Sequence, residues 1–232
     1  MKAMILAAGR GERMRPLTDQ TPKPLLRAGE HCLIEHLIEA LVADGFEELV
    51  VNVSHLAEQI EERLGNGHRY GAEIVYSREI PEPLETAGGI QQALPFLGDD
   101  PFLVVNGDIA TDFPFRSLRD EPEGAAHLVL IPNPPHHLAG DFALDGRRVT
   151  SAHEHRYTFA GIGVYRPSLF AGLPAGRAAL APLLRQAILQ QAVTGQLYPG
   201  FWMDVGTVER LHAFDARLRG VEPETARLDQ IA

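Results

Sequence analysis

Apolar and polar positions alternate in blocks along the chain, and the block lengths predict its elements. Lys2–Ala7 is a short, continuous apolar run of the kind buried at the centre of a parallel sheet. From Cys32 to Ala43, Leu33, Ile34, Leu37, Ile38, Leu41 and Val42 recur at helical spacing, with Gly45 beyond them as a stop. Strands are predicted over Glu48–Val53, Ala72–Ser77 and Phe102–Asn106, and helices over Leu56–Leu64 and Thr86–Leu97. Strands alternating with helices in this way indicate βαβ units around a mostly parallel sheet. The second half is less regular. Strands are predicted at Ala126–Ile131 and Ala160–Tyr165, and a hairpin of Asp141–Leu144 and Arg147–Ala152 around Asp145-Gly146. Amphipathic helices are predicted over Leu180–Thr194 and Thr207–Leu218, with a polar tail over 221–232. No repeat or linker interrupts 1–220, so one domain is expected, its halves meeting near residue 110.

Composition narrows the class. The net charge of −10 over 232 residues argues against a general nucleic-acid or anionic-membrane binder. No apolar run reaches the roughly 20 residues of a membrane span, and the first apolar stretch lacks a cleavage site, so no membrane partner is expected. With Cys32 as the lone cysteine, a reducing, cytoplasmic location is expected. Yet residues 1–27 carry Lys2, Arg10, Arg13, Arg15, Lys23 and Arg27 against Glu12 and Asp19, which suggests a focused anion site. Lys2 and Lys23 are the only lysines among 21 cations. A compact ammonium at position 23 suits phosphate.

The candidate chemistry follows from these strings. Ala8, Gly9, Gly11, Glu12 and Arg13 form a loop directly after the first strand, where glycines let backbone N–H groups approach an anion. Met14 stands where the dinucleotide fingerprint needs its third glycine, which weakens a nicotinamide-dependent oxidoreductase reading, and the Walker Gly-Lys-Ser/Thr is absent. Several fixed cations are what a triphosphate under attack needs, and Arg13, Arg15 and Lys23 lie close together with Pro22 and Pro24 stiffening the turn. Asp108 ends an apolar strand, and Asp204 precedes the last helix. A carboxylate pair beyond strand ends suits Mg²⁺, although Asp108 also reads as a turn residue and Asp204 as a helix cap. His136-His137 and His153-x-His155 lack thiolate partners and i,i+4 spacing, and read as surface or sugar-contacting groups.

Taken together, Leu6-Ala7-Ala8-Gly9-x-Gly11-x-Arg13-Met14-x-Pro16-Leu17-Thr18, Pro22-Lys23-Pro24-Leu25, Glu85-Thr86-Ala87-Gly88-Gly89, Asn106-Gly107-Asp108 and Trp202-x-Asp204-x-Gly206-Thr207 resemble the nucleoside-diphosphate-sugar pyrophosphorylases over about residues 1–215. The resemblance implies a three-layer α/β/α fold with a Rossmann-like mixed sheet. It implies a glycine loop on the triphosphate, Arg13 facing the departing pyrophosphate, and Lys23 on the reacting phosphates. Asp108 and Asp204 would hold Mg²⁺. The stretch containing Glu79, Glu85 and Gly88 would cover the base; Asn106 would lie between both substrates, and Gly140, Asp141, Glu154 and Arg156 would face the sugar. The partners implied are a nucleoside triphosphate and a sugar 1-phosphate. The compact length and the Glu-Thr-Ala-Gly-Gly loop are similar to the uridylyltransferase branch that takes UTP and N-acetylmuramate 1-phosphate. Guanylyl transfer to mannose 1-phosphate, thymidylyl or uridylyl transfer to glucose 1-phosphate, and a sensor that has lost catalysis are the alternatives. Two departures stand out. Ala152-His153-Glu154-His155-Arg156 replaces the Glu-Lys-Pro whose lysine grips the sugar phosphate in many relatives, and no hexapeptide β-helix follows.

Overall fold

In the computed structural model, residues 1–119, 123–152 and 154–221 are described. In chain order the elements are β1 (Ala3–Leu6), α1 (Leu17–Gln20), β2 (Arg27–Ala28), β3 (His31–Cys32), α2 (Leu33–Ala43), β4 (Glu48–Val53), α3 (Ala57–Leu64), β5 (Glu73–Arg78), α4 (Glu85–Leu97), β6 (Phe102–Asn106) and β7 (Ile109–Thr111). There follow β8 (Ala126–Ile131), β9 (Phe142–Asp145), β10 (Arg148–Thr150), β11 (Arg156–Tyr165), α5 (Leu180–Leu189), β12 (Val193–Leu197), β13 (Trp202–Asp204) and α6 (Val208–Leu218).

Nine strands make one sheet in the order β5-β4-β1-β6-β11-β8-β12-β10-β9. Its first four strands are parallel. Beyond β6 the direction reverses at β11, and only β8 and β12 pair in parallel in the remaining half. The sheet is therefore mixed, with its continuous parallel run in the N-terminal half and one parallel pair, β8–β12, in the other.

Alternation of side chains along each strand explains the layers. Ala3 and Ile5 of β1, with Leu103 and Val105 of β6, face Ile34, Leu37, Ile38 and Leu41 of α2 and Ile60 and Leu64 of α3. Met4, Phe102 and Val104 point the other way, onto Ala87, Ile90 and Ala93 of α4 and Leu184 and Ile188 of α5. The result is helix, sheet and helix, with both faces of the central strands apolar. Full burial of each large aliphatic side chain contributes roughly 1.5–3 kcal/mol. A third cluster, Met14, Leu26, Leu33, Val205, Leu211 and Phe214, anchors the glycine loop and α6 at the carboxyl edge of the sheet.

Two predicted boundaries are off by four residues or more. The strand predicted to begin at Ala160 begins at Arg156, because Arg156 and Tyr157 pair with β9. The helix predicted to run to Thr194 ends at Leu189, and Thr194 lies in β12. The chain turns at Gln191, whose φ of 56° is left-handed. A helix terminus usually marks that conformation with glycine. The predicted tail beyond 221 lies outside the described residues. Among the described residues no helix is long and apolar enough to cross a membrane.

Candidate functional site

Three cavities open at the carboxyl ends of β1 and β6, where loops leave a parallel sheet. The first, about 490 Å³, is lined by Ala8, Gly9, Gly11, Glu12, Arg13, Lys23, Glu79, Glu85, Asn106 and Asp108, among others. The second, about 480 Å³, lies beside α5 and includes Asp141 and Arg156. The third, about 340 Å³, includes Arg13, Asp108 and Asp204. Asn106 lines all three, so the chambers meet at its side chain.

Local geometry makes the first chamber. Gly11 sits at a φ of 67°, and a Cβ there would lie 3.0 Å from Thr18 Cγ2 and 3.1 Å from Lys23 Cβ. Thr18 Oγ1 donates to the Gly11 carbonyl at 2.9 Å, which folds the loop back over the lysine. On the other side of β1, Asn52 accepts the Ala7 N–H at 2.7 Å and donates to Glu79 at 2.6 Å. The second Glu79 oxygen accepts the Leu84 N–H at 2.6 Å. A buried carboxylate thus ties the glycine loop to the segment that precedes α4. Glu85, the first residue of α4, has a φ of 59°, a sparsely populated conformation for a side chain of this kind, and borders both large chambers.

The carboxylates are brought together by two very short strands. β13 pairs antiparallel with β7, placing Asp204 opposite Ile109, and the Val205 N–H donates to the Asp108 carbonyl at 2.7 Å. Lys23 Nζ lies 2.5 Å from Asp108 Oδ2, with the lysine side chain 12% exposed. Asp204 Oδ1 accepts from Arg210 Nη1 at 2.7 Å and lies 3.0 Å from His136 Nε2. Arg13 reaches the same place across Gly206, where a Cβ would come within 2.7 Å of Arg13 Nη2. Among the described residues no three His, Cys, Asp or Glu side chains gather as a closed ligand set. Asp108 and Asp204 do line one chamber with Arg13, and an open pair of carboxylates is the kind of donor set that could hold a hard cation completed by phosphate oxygens and water.

Three of the residues expected at the site lie apart from these chambers. Gly88 is buried inside α4, where a Cβ would meet the Gly176 carbonyl at 2.2 Å; it packs the 174–178 loop against the helix. Gly140 is a turn glycine, φ 60°, wedged against Arg156 and Asn133. Glu154 is exposed and lines none of the three cavities. His153 lies outside the described residues. Conversely, Asn52 and Arg210 have no place among the sequence expectations, and His136, expected as a surface or sugar-contacting group, lies against Asp204 instead. Asn52 does carry a signal, as a polar residue inside the apolar β4 in register with Leu6, just as Asn106 is on the other side of β1. Arg210 has none, being one arginine of an amphipathic helix.

A network remote from the chambers binds α2 to α3. Burial pushes the Glu35 carboxyl up, but hydrogen bonds from Arg63, Tyr70 and Cys32 outweigh it and hold the pKa at about 2.

Comparison with known proteins places this geometry. Residues 2–142 match the nucleotidyl transferase family. An N-acetylmuramate alpha-1-phosphate uridylyltransferase of Neisseria meningitidis serogroup B is 52% identical over 220 residues, covering 91% of this chain and 95% of that protein. Its namesake from Caulobacter vibrioides is 35% identical over 234 residues, covering 93% and 96%. Among solved structures, a Bacillus anthracis protein assigned as a glucose-1-phosphate thymidylyltransferase, in complex with a sucrose, superposes with a TM-score of 0.84 at 22% identity, covering 96% of this chain and 97% of that one. A glycine loop after the first strand, two aspartates held by the β7–β13 pairing, and similarity over more than nine-tenths of the chain agree: the chain belongs to the nucleotidyl transferase family.

Proposed function

We propose that this chain transfers the uridylyl group of UTP to N-acetylmuramate 1-phosphate, releasing pyrophosphate, in the recycling of cell-wall sugar in the cytoplasm. The observation that carries the reading is the 52% identity over 91% of the chain to the Neisseria relative of that activity. The arrangement of chambers supports it. The triphosphate would lie on the Gly9–Gly11 loop in the first chamber, the sugar in the second, and the reacting phosphates near Asn106.

The chemistry asks little of the protein beyond placement and charge. An oxygen of the sugar phosphate, already an anion at neutral pH, attacks the α-phosphorus of the nucleotide in line. A phosphorus–oxygen bond forms, and the bond to the bridging oxygen of the β-phosphate breaks, so that pyrophosphate carries away the electron pair. No side chain need remove a proton or act as nucleophile. Lys23 would pair with the equatorial oxygens as their charge grows, and Arg13 with the departing phosphates. Asp108 orients Lys23 through their 2.5 Å contact. Asp108 and Asp204 would hold Mg²⁺, which when bound neutralises phosphate charge and draws the oxygens together. Arg210 and His136 hold the Asp204 carboxylate in place.

A pyrophosphate-release screen of UTP, dTTP, GTP and CTP against N-acetylmuramate, N-acetylglucosamine, glucose and mannose 1-phosphates tests this. UTP with N-acetylmuramate 1-phosphate is expected to give the highest kcat/KM, and chelation by EDTA to abolish turnover until Mg²⁺ is restored. Preference for GTP with mannose 1-phosphate, or turnover indifferent to EDTA, would overturn the base and sugar assignment or the metal role respectively.

A further inference from the structure

The second chamber combines apolar walls with unspent positive charge. Phe142, Phe159, Leu180 and Leu184 line it, yet Arg156 and Arg185 also reach it. Arg156 donates through Nη2 to the Asp141 carbonyl, and its Nε is buried without a partner among the described residues. An unpaired buried guanidinium donor is costly, so the arrangement suits an acceptor that arrives with a ligand. Arg185 is exposed on α5 and makes no hydrogen bond or ion pair among the described residues. It stands four residues after Ala181, on the same face, and helical side chains lean toward the N-terminus and so toward the chamber.

The acids nearby are already committed. Glu85 lies 3.3 Å from Arg177. Asp141 accepts the Phe159 N–H at 2.8 Å and lies 3.1 Å from His137 Nε2. The first turn of α5 adds partial positive charge at the wall, since Ala179 offers no side-chain cap to its N–H groups.

We propose that Arg185, backed by Arg156, binds a carboxylate carried on the sugar ring, so that this chamber selects acidic sugar 1-phosphates over neutral ones. The proposal rests on the nucleotidyltransferase reading above and gives Arg185 a role in specificity. A 3-O-lactyl ether is the substituent that fits: its methyl group would meet the Phe and Leu walls while its carboxylate takes the guanidinium. A grip on the 1-phosphate, common to every substrate, is the competing role, and it predicts a different pattern.

The test compares kcat/KM for N-acetylmuramate 1-phosphate and N-acetylglucosamine 1-phosphate, which differ in the lactyl group alone, using whichever nucleoside triphosphate the screen finds fastest. Failure of the uridylyl assignment is thereby kept separate from failure of this one. Wild type is expected to prefer the acidic sugar. Arg185→Gln is expected to lower that preference about 10- to 100-fold, mainly through KM, as befits one or two charge-assisted hydrogen bonds. Arg185→Lys is expected to recover part of it. Thermal unfolding of both variants checks that this exposed position leaves the fold intact. Equal losses on the two sugars would assign Arg185 to the common phosphate and overturn the proposal. So would an unchanged preference, or a wild type that turns over both alike.

Discussion

Gly107 is the place where a single methyl group would disturb the reaction centre most directly. Its N–H donates to the Leu6 carbonyl at 2.9 Å, and a Cβ there would stand 2.6 Å from the same oxygen, well inside the 3.4 Å at which ordinary contact begins. The obstacle is backbone of β1, hydrogen-bonded on both sides by β4 and β6, so the 107–108 segment must be what moves. A displacement of about 0.8 Å is required, and the next residue is Asp108. Overpacking of this kind costs roughly 1–3 kcal/mol when the neighbours cannot yield. Misplacement of a catalytic group by about 1 Å costs on the order of 100-fold in rate. Gly107→Ala is therefore expected to stay folded, lose about 1–3 kcal/mol in urea titration, and fall about 30- to 100-fold in kcat by pyrophosphate release. Gly9→Ala is the stability control, since among the described residues nothing lies within 4 Å of its Cβ position. It is expected to melt within about 0.5 kcal/mol of wild type. A folded Gly107→Ala enzyme with kcat within threefold of wild type would refute the argument that this contact sets the Asp108 position.

Three further outcomes are expected. Lys23→Met and Asp204→Asn, measured singly by pyrophosphate release, should each lower kcat about 10²–10³-fold, with unfolding midpoints little changed; normal turnover of either would remove that residue from the chemistry. Glu35 has a folded pKa of about 2 against 4.5 unfolded, so its contribution is complete above about pH 4.5 and is lost as pH falls toward 2. That shift corresponds to about 3 kcal/mol at most, and to about 1–2 once solvent screening of half-exposed Arg63 and Arg69 is allowed for. The stability gap between wild type and Glu35→Gln should thus narrow from pH 7 to pH 3 in urea titrations, and a gap independent of pH would contradict the pairing. Gly88→Ala, whose Cβ would meet the Gly176 carbonyl at 2.2 Å, should destabilise by about 1–3 kcal/mol and free the 174–178 loop to limited proteolysis; an unchanged melt and cleavage pattern would argue against that packing role.

The parts of the molecule legible in the sequence are those where one physical signal dominates over several residues. β4, β6 and β8 fall where their apolar runs do, and α2 starts and stops where periodicity and Gly45 place it. Legibility fails where no residue type marks the event. The end of α5 depends on Gln191 adopting a left-handed conformation. β7 and β13 hold three residues each, too few for a period of two to register, and yet they are what unite Asp108 and Asp204. Gly88 shows the opposite confusion, a motif glycine whose reason is helix–loop packing. The second chamber was least legible, because Phe142, Phe159 and Leu184 are ordinary core residues in sequence and acquire a shared role only when β9, β11 and α5 converge.

The ladder between β7 and β13 has one more consequence. Because two main-chain strands fix the spacing of the acidic pair, loops in the roughly ninety residues between them can vary without altering it, provided that β11 keeps its place beside β6 and His136 its contact with Asp204. Most of the second chamber's lining, from Asp141 through Arg185, lies within that excursion, while Glu85, Thr86 and Asn106 come from the stretch before β7. A lineage could therefore exchange its acceptor, insertion by insertion, while inheriting an unaltered phosphoryl-transfer engine. On this architecture chemistry and taste evolve on separate stretches of chain.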